Sequence, residues 1–582
     1  MSAQQLITEH IDLWTSTIKA KKTQGRGSNK KRELYGIKKL RELILELAVR
    51  GKLVPQDPSD EPASVLLERI AAEKSQLVKD KKIKKQKPLS DITEEGKPFE
   101  PPEGWDFCHL RDIMNVLNGR AYKKHEMLET GVPLLRVGNL FTSKEWYYSD
   151  IDLEPEKYID NGDLIYAWSA SFGPFIWDGG KVIYHYHIWK LDQYHEPSIS
   201  KFYLLNYLQA ITASIKASGN GIAMIHMTKE RMEKLVLPIA PLSEQHRIVA
   251  KVDELMALCD QLEQQTESSL DAHNLLVDTL LSTLTDARDA KELSDNWARL
   301  ADHFDTLITT DYAVEQLKQT ILQLAVMGKL VPQDPNDEPA SELLKRIAAE
   351  KEQLVKDKKI KKQKLLPEII KEEKPFELPA EWTWSRIGDV ISLKNGYAFR
   401  SKYFIHDSTP FVLTTPGNFY ETGGFKDRGN KTRFYDSDVQ PEFILNSGDL
   451  MIPMTEQAPG LLGSSAFIPD DDKKYLHNQR LGKLIPYCDR STTLEFIALF
   501  FNAPYLRGAL AESCSGTTVR HTSPDKIYNV LFPVFSVPEQ QRIVAKVNKL
   551  MALCDQLKIQ LNNAQTTQLH LSDAIVEKAL TA

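Results

Sequence analysis

The sequence predicts an α+β protein: two globular domains of short strands with flanking helices, joined by two long helices packed as an antiparallel coiled coil in a pseudo-twofold arrangement. Three observations predict it. Two blocks of sequence each occur twice. Two long segments carry a heptad apolar seam. The stretches between the blocks are rich in aromatic and β-branched residues punctuated by Gly, Pro and Asn, which favours short strands with long loops. The 582 residues suffice for three or four units of roughly 150 residues. The composition, 42% hydrophobic and 26% charged, is that of an ordinary globular protein able to bury a core.

The first block runs from Leu40 to Leu89 and recurs from Leu317 to Leu366, with 40 of 50 positions identical at an offset of 277. It contains the phrase GKLVPQDP at 51–58 and 328–335. The second block, EQHRIVAKVDELMALCDQL from Glu244, recurs as EQQRIVAKVNKLMALCDQL from Glu539 at an offset of 295. The interval between blocks is therefore about 18 residues longer in the second copy. Within the intervals, landmarks keep their order. Asn118-Gly119 answers Asn395-Gly396, PLLRVGNL from Pro133 answers PFVLTTPGNF from Pro410, and NGDLIYA from Asn161 answers SGDLMIP from Ser447. One fold used twice with rewritten loops accounts for this. The expected organisation is a helical region 1–97, a domain 98–240, a central region 241–374, a second domain 375–536 and a terminal helix 537–582.

Each element has a local reason. Ile37, Leu40, Ile44 and Leu47 form one helical stripe, stopped by Gly51 and the prolines. A second helix is expected to start with Asp60 or Glu61 as cap and Pro62 in its first turn, with Leu66, Leu67, Ile70, Leu77 and Val78 as its stripe. The lysine run KDKKIKKQK follows at 79–87 and recurs at 356–364; a phosphate contact and a solvated linker both fit it. In the domains, helices are expected near 200–217 and 492–512, and each domain ends in a proline-marked strand. The long helix from about 243 to 285 spans roughly 60 Å at ~1.5 Å per residue. Its seam is Ile248, Val252, Leu255, Cys259 and Leu262, matched by Ile543, Val547, Leu550, Cys554 and Leu557. The near-identity of the seams favours mutual packing over two amphipathic helices in separate cores.

The five cysteines show no CxxC pairing, which argues for a reducing compartment and against structural zinc. No apolar run reaches ~18 residues and the first residues lack a signal core, so no membrane span or secretory signal is expected. Neither a phosphate-cradling GxxxxGK[ST] nor a helix-opening GxGxxG occurs. His185 and His187 lack a third ligand and are read as strand residues. No catalytic or metal residue is predicted. The loops instead carry groups able to read base edges and phosphates: Arg120, Lys123, Lys124, Arg136, Asn139, Trp168, Ser171, Asn220 and His226 in the first domain. In the second they are Arg400, Lys402, Thr415, Asn418, Gln457, Asn478, Gln479, Arg480, Arg520 and His521. Net charge, −6, leans against nucleic acid, which usually selects a basic protein.

With the KLVPQDP and EQ-x-RIVAKV-x-x-LMALCDQL blocks and the paired segments opening at EGW (103–105) and AEW (380–382), the chain resembles the specificity subunits of Type I restriction–modification systems over nearly its whole length. The resemblance implies that each variable segment is a target recognition domain reading one half of a bipartite double-stranded DNA site. It implies that the paired helices set the gap and dock two modification subunits, joined by two restriction subunits. It also implies a cytoplasmic bacterial protein with no cofactor of its own, S-adenosylmethionine belonging to the modification subunits and ATP with Mg to the restriction subunits. Two rivals stand beside it: a pseudo-symmetric adaptor for protein partners, and a self-contained nuclease with duplicated lobes.

Overall fold

The computed structural model describes residues 7–20, 32–169, 171–218, 228–406, 409–456, 458, 460–488, 493–513 and 520–581. Its main helices are α1 (Tyr35–Val49), α2 (Ala63–Lys79), α3 (Lys201–Ser218), α4 (Leu242–Asp286), α5 (Asp311–Val326), α6 (Ala340–Lys356), α7 (Leu494–Asn502), α8 (Pro504–Ser513) and α9 (Val537–Thr581). The chain is mixed helix and sheet, in two units. One comprises, among the described residues, 7–20, 32–268 and 565–581, and the other 269–564. Each long helix, α4 and α9, is 45 residues long and contributes its start to one unit and its end to the other.

The sheets of the two units match. In the first, strands Met114–Asn118, Ile188–Gln193, Leu164–Ser169 and Ser171–Ile176 lie in that order, all antiparallel. In the second the order is Ile391–Asn395, Leu481–Pro486, Leu450–Pro453 and Ala466–Phe467, again antiparallel. Each unit has another four-stranded sheet built on one parallel pair, Val132–Leu135 with Val182–Tyr184 and Phe411–Thr414 with Lys474–His477. The NGDL and SGDL landmarks place Asp163 against Lys190 at 2.7 Å and Asp449 against Lys483 at 2.6 Å, so one ion pair ties the same two strands in both units.

Three expectations are refined. The second helix of the first block begins at Ala63 with Pro62 as its N-cap residue and no side-chain cap. Asp60 instead receives Arg247, and Glu61 receives Arg69. The single helix expected at 492–512 is two, because Ala503 is extended (ψ 147°) ahead of Pro504, whose ring disfavours helical geometry at the preceding residue. The seam residues Ile543, Val547 and Cys554 are buried in the second unit together with Val314, Leu317 and Ile321 of α5 and with Val277, Leu281 and Leu284 near the end of α4. Leu550 and Leu557 pack against that core partly buried. In the first unit Ile248, Val252, Leu255, Cys259 and Leu262 are likewise buried. Arg41 of α1 reaches Asp260 and Glu263 beside that seam, as Lys318 of α5 reaches Asp555 in the second unit.

The repeated phrases are locks. Gly51 (φ +65°) and Gly328 (φ +70°) turn the chain where a Cβ would strike Pro102 and Trp105, or Pro379 and Trp382. Lys52 donates to the Leu580 carbonyl at the end of α9; Lys329 donates to the Thr285 and Ala287 carbonyls at the end of α4. Gln56 and Trp105 both donate to the buried Glu244 carboxylate, at 3.1 and 2.9 Å, and Gln333 and Trp382 repeat this on Glu539 at 2.6 and 3.0 Å. Arg247 pairs with Asp60 and Arg542 with Asp337, each at 2.7 Å. Gln245 accepts from the Ser200 amide just before α3 and donates to the Ala240 carbonyl; Gln540 does the same with Thr493 and Phe535. The E, Q and R of the second block thus bind the long helix to the turn, the domain entrance and the domain's last strand.

Candidate nucleic-acid interface

In each unit a three-residue turn links the two four-stranded sheets. It is His185-Tyr186-His187 in the first and Asn478-Gln479-Arg480 in the second. The Asn-Gly landmark pins its base. A Cβ on Gly119 would lie 2.4 Å from the His185 carbonyl oxygen and one on Gly396 2.3 Å from that of Asn478, so only glycine admits this approach. The neighbouring residues Arg120 and Tyr397 then bridge to His185 and Asn478. His185 and His187 therefore stand at a corner, not within a strand, which is why their alternation misled the sequence reading.

The chemistry at this shared corner differs between units. In the first, Tyr186 is 40% exposed and Trp168 donates its Nε1–H to the Tyr186 carbonyl at 2.9 Å. Trp168 stacks on Trp189 (5.5 Å, 19°) and meets His187 edge-on (5.0 Å). Burial, then His187 and Arg136, lower the His185 pKa to about 4, so its ring is neutral at pH 7. In the second unit Gln479 and Arg480 are exposed, and Asn478 closes the turn by accepting the Arg480 amide at 3.0 Å. His477 beneath them is buried, and that burial lowers its pKa to about 4.

A cavity of about 450 Å³ adjoins the second corner, lined by Phe399, Phe404 and Leu413 and by Thr415, Arg428, Arg433, Asn478, Gln479 and Arg480. Four of the sequence-predicted residues come together here. Arg428 and Arg433 were missed because nothing in their spacing sets them apart from solvated arginines. Arg428 donates to the Thr415 hydroxyl at 3.2 Å.

The other candidates fall into four groups. Asn139 and Asn418 accept the Arg136 and Thr415 amides at 3.1 and 2.9 Å, and Asn418 is only 3% exposed; both close a turn rather than offer a free amide. Arg120 is held by Glu126 and lies over Tyr122, and Arg136 lies 4.2 Å over Tyr147. Arg520 pairs with Glu456 at 3.5 Å, and His521 hydrogen-bonds Thr455. Lys123, Lys124, Arg400 and Lys402 are exposed, Lys402 lying over Tyr403. Asn220, His226 and Gln457, and the side chain of Ser171, lie outside the described residues. Among the described residues no group of three or more His, Cys, Asp or Glu side chains is placed to hold a metal, and no helix is long and apolar enough to cross a membrane.

A duplicated frame with locked helices and divergent corners defines a class of two-module proteins. Comparison with known proteins supplies the family. The model for the Type I restriction modification DNA specificity domain matches residues 102–272 and 379–565, and the chain belongs to that family. It is 42% identical over 601 aligned positions to the Type I restriction enzyme EcoAI specificity subunit of Escherichia coli, covering all of both chains. It is 40% identical to the EcoEI specificity subunit of the same organism, again over the whole of each. Among solved structures, the HsdS subunit from Thermoanaerobacter tengcongensis matches 83% of this chain and 98% of its own at 16% identity and a TM-score of 0.36.

Proposed function

We propose that this chain is the DNA-reading subunit of a Type I restriction–modification complex, each unit reading one half of a bipartite site. The observation that carries the reading is the pair of corners, 185–187 and 478–480: the same backbone frame, pinned by the same glycine, presents Tyr-His with stacked indoles in one unit and Gln-Arg beside a cavity in the other. Two readers of two different half-sites need this combination, because position must be kept while base contacts change. The long helices act as the spacer between the half-sites. The block surfaces dock two modification subunits that bring S-adenosylmethionine, and restriction subunits bring ATP and Mg. The chain itself catalyses nothing. With a net charge of −6 it depends on its partners for much of the phosphate contact, so salt-sensitive affinity belongs to the complex.

The test is co-expression with the modification subunit in a host lacking adenine methylation, followed by long-read mapping of N6-methyladenine. The expected result is a split motif with a fixed unread gap. A stable complex that leaves no motif would support the protein-adaptor reading instead.

A further inference from the structure

The second corner assigns a chemistry to part of its half-site. Asn478 directs its carbonyl and side-chain oxygens into the turn, accepting the Leu481 and Arg480 amides at 2.9 and 3.0 Å. The turn is anchored below by Gly396 and by buried His477, whose Nε2 bonds the Leu481 carbonyl at 3.0 Å. Arg480 is therefore a long side chain on a rigid, exposed tip. Among the described residues its guanidinium has no carboxylate partner, and no Asp or Glu lines the adjoining cavity. Arg428 is tethered to Thr415, and Arg433 is exposed on the same rim. Three arginines thus line one cavity that no Asp or Glu lines, in a protein that is acidic overall.

Such a cluster calls for an anion or an acceptor-rich edge. A planar fork on a rigid tip matches the paired O6 and N7 acceptors of guanine in the major groove, while cations held on a rim suit the flanking phosphates. We propose that Arg480 makes the base-edge contact to a guanine in the half-site read by the second unit, with Arg428 and Arg433 holding the adjacent backbone. The first unit has His187 at the equivalent position, so its half-site lacks this contact. This inference rests on the DNA-reading role above and adds the residue and the base.

The test uses the complex of full-length chain and modification subunit. Methylation motifs are mapped for wild type, Arg480→Ala and Arg480→Lys, and binding to the mapped site and its single-base variants is measured over a range of salt. The expected result is that both substitutions relax one G·C position of one half-site by roughly tenfold or more, leave the other half-site unchanged, and leave the salt dependence nearly unaltered. Thermal unfolding of the variants at the wild-type temperature establishes that the fold is intact. Uniform weakening across sequences, a shallower salt dependence and rescue by lysine would make Arg480 a phosphate contact and overturn the proposal. An unchanged motif in both variants would overturn it as well. Absence of any motif with wild-type chain would instead refute the DNA-reading role itself.

Discussion

At the scale of single residues, identity between the two copies marks buried polar locks. Glu244 and Glu539 are 1% and 2% exposed, and each accepts an indole and an amide N–H. Burial, only partly opposed by those donors, raises both carboxyl pKa values above the ordinary 4.5. Ionisation therefore costs the folded state more than the unfolded one. The stability these groups contribute is fully present below pH 4.5 and declines as pH rises through their raised folded values. Glutamine does not titrate. Relative to an E244Q/E539Q variant, wild type should lose stability as pH rises above about 4.5, seen as a falling difference in denaturant midpoint. A difference that grows with pH would mean that the donors dominate. None of this was legible in the sequence. The identity of Glu, Trp and Gln was plain, but their meeting depends on contacts 139 and 188 residues apart.

At the scale of elements, much was legible. The stripe Ile37, Leu40, Ile44, Leu47 is buried as expected, α3 spans Lys201–Ser218, and both long helices begin at the second block. Periodicity reports these because one face of each helix carries a regularly spaced apolar stripe. It does not report a helix's neighbours. The 543–557 seam shares its core with α5 and with the far end of α4, where Val277, Leu281 and Leu284 continue the apolar face beyond the repeated words. The corners were illegible for a related reason: a three-residue turn has no period, and its base is set by a glycine close approach more than 60 residues away in sequence. Leu281 tests the assignment of helix ends. Leu281→Ala should cost roughly 2–5 kcal/mol. In hydrogen–deuterium exchange the lost protection should fall on α5 and the start of α9, residues of the second unit. Lost protection confined to 37–49 would contradict the core described above.

At the scale of the whole molecule, each unit is built from one copy of the first block, one variable segment, the start of one long helix and the end of the other. The locks join these parts within a unit, and the first strand, the last strand and the start of the helix of each variable segment are tied to the constant blocks. On the proposed function, the loops that read DNA lie apart from these ties. Exchange of residues 98–240 for the corresponding segment of a relative should consequently change one half-site and leave the other, and the unread gap, as they were. On the proposed function, both helices run uninterrupted to fix the gap. Insertion of one helical turn between 262 and 277 in α4, where the side chains leave one core and have not joined the next, adds about 5.4 Å to the connection. With the matching insertion in α9, the gap in the methylated motif should lengthen while both half-sites keep their bases. A changed half-site with an unchanged gap would mean that the recognition loops, not the helices, measure the distance.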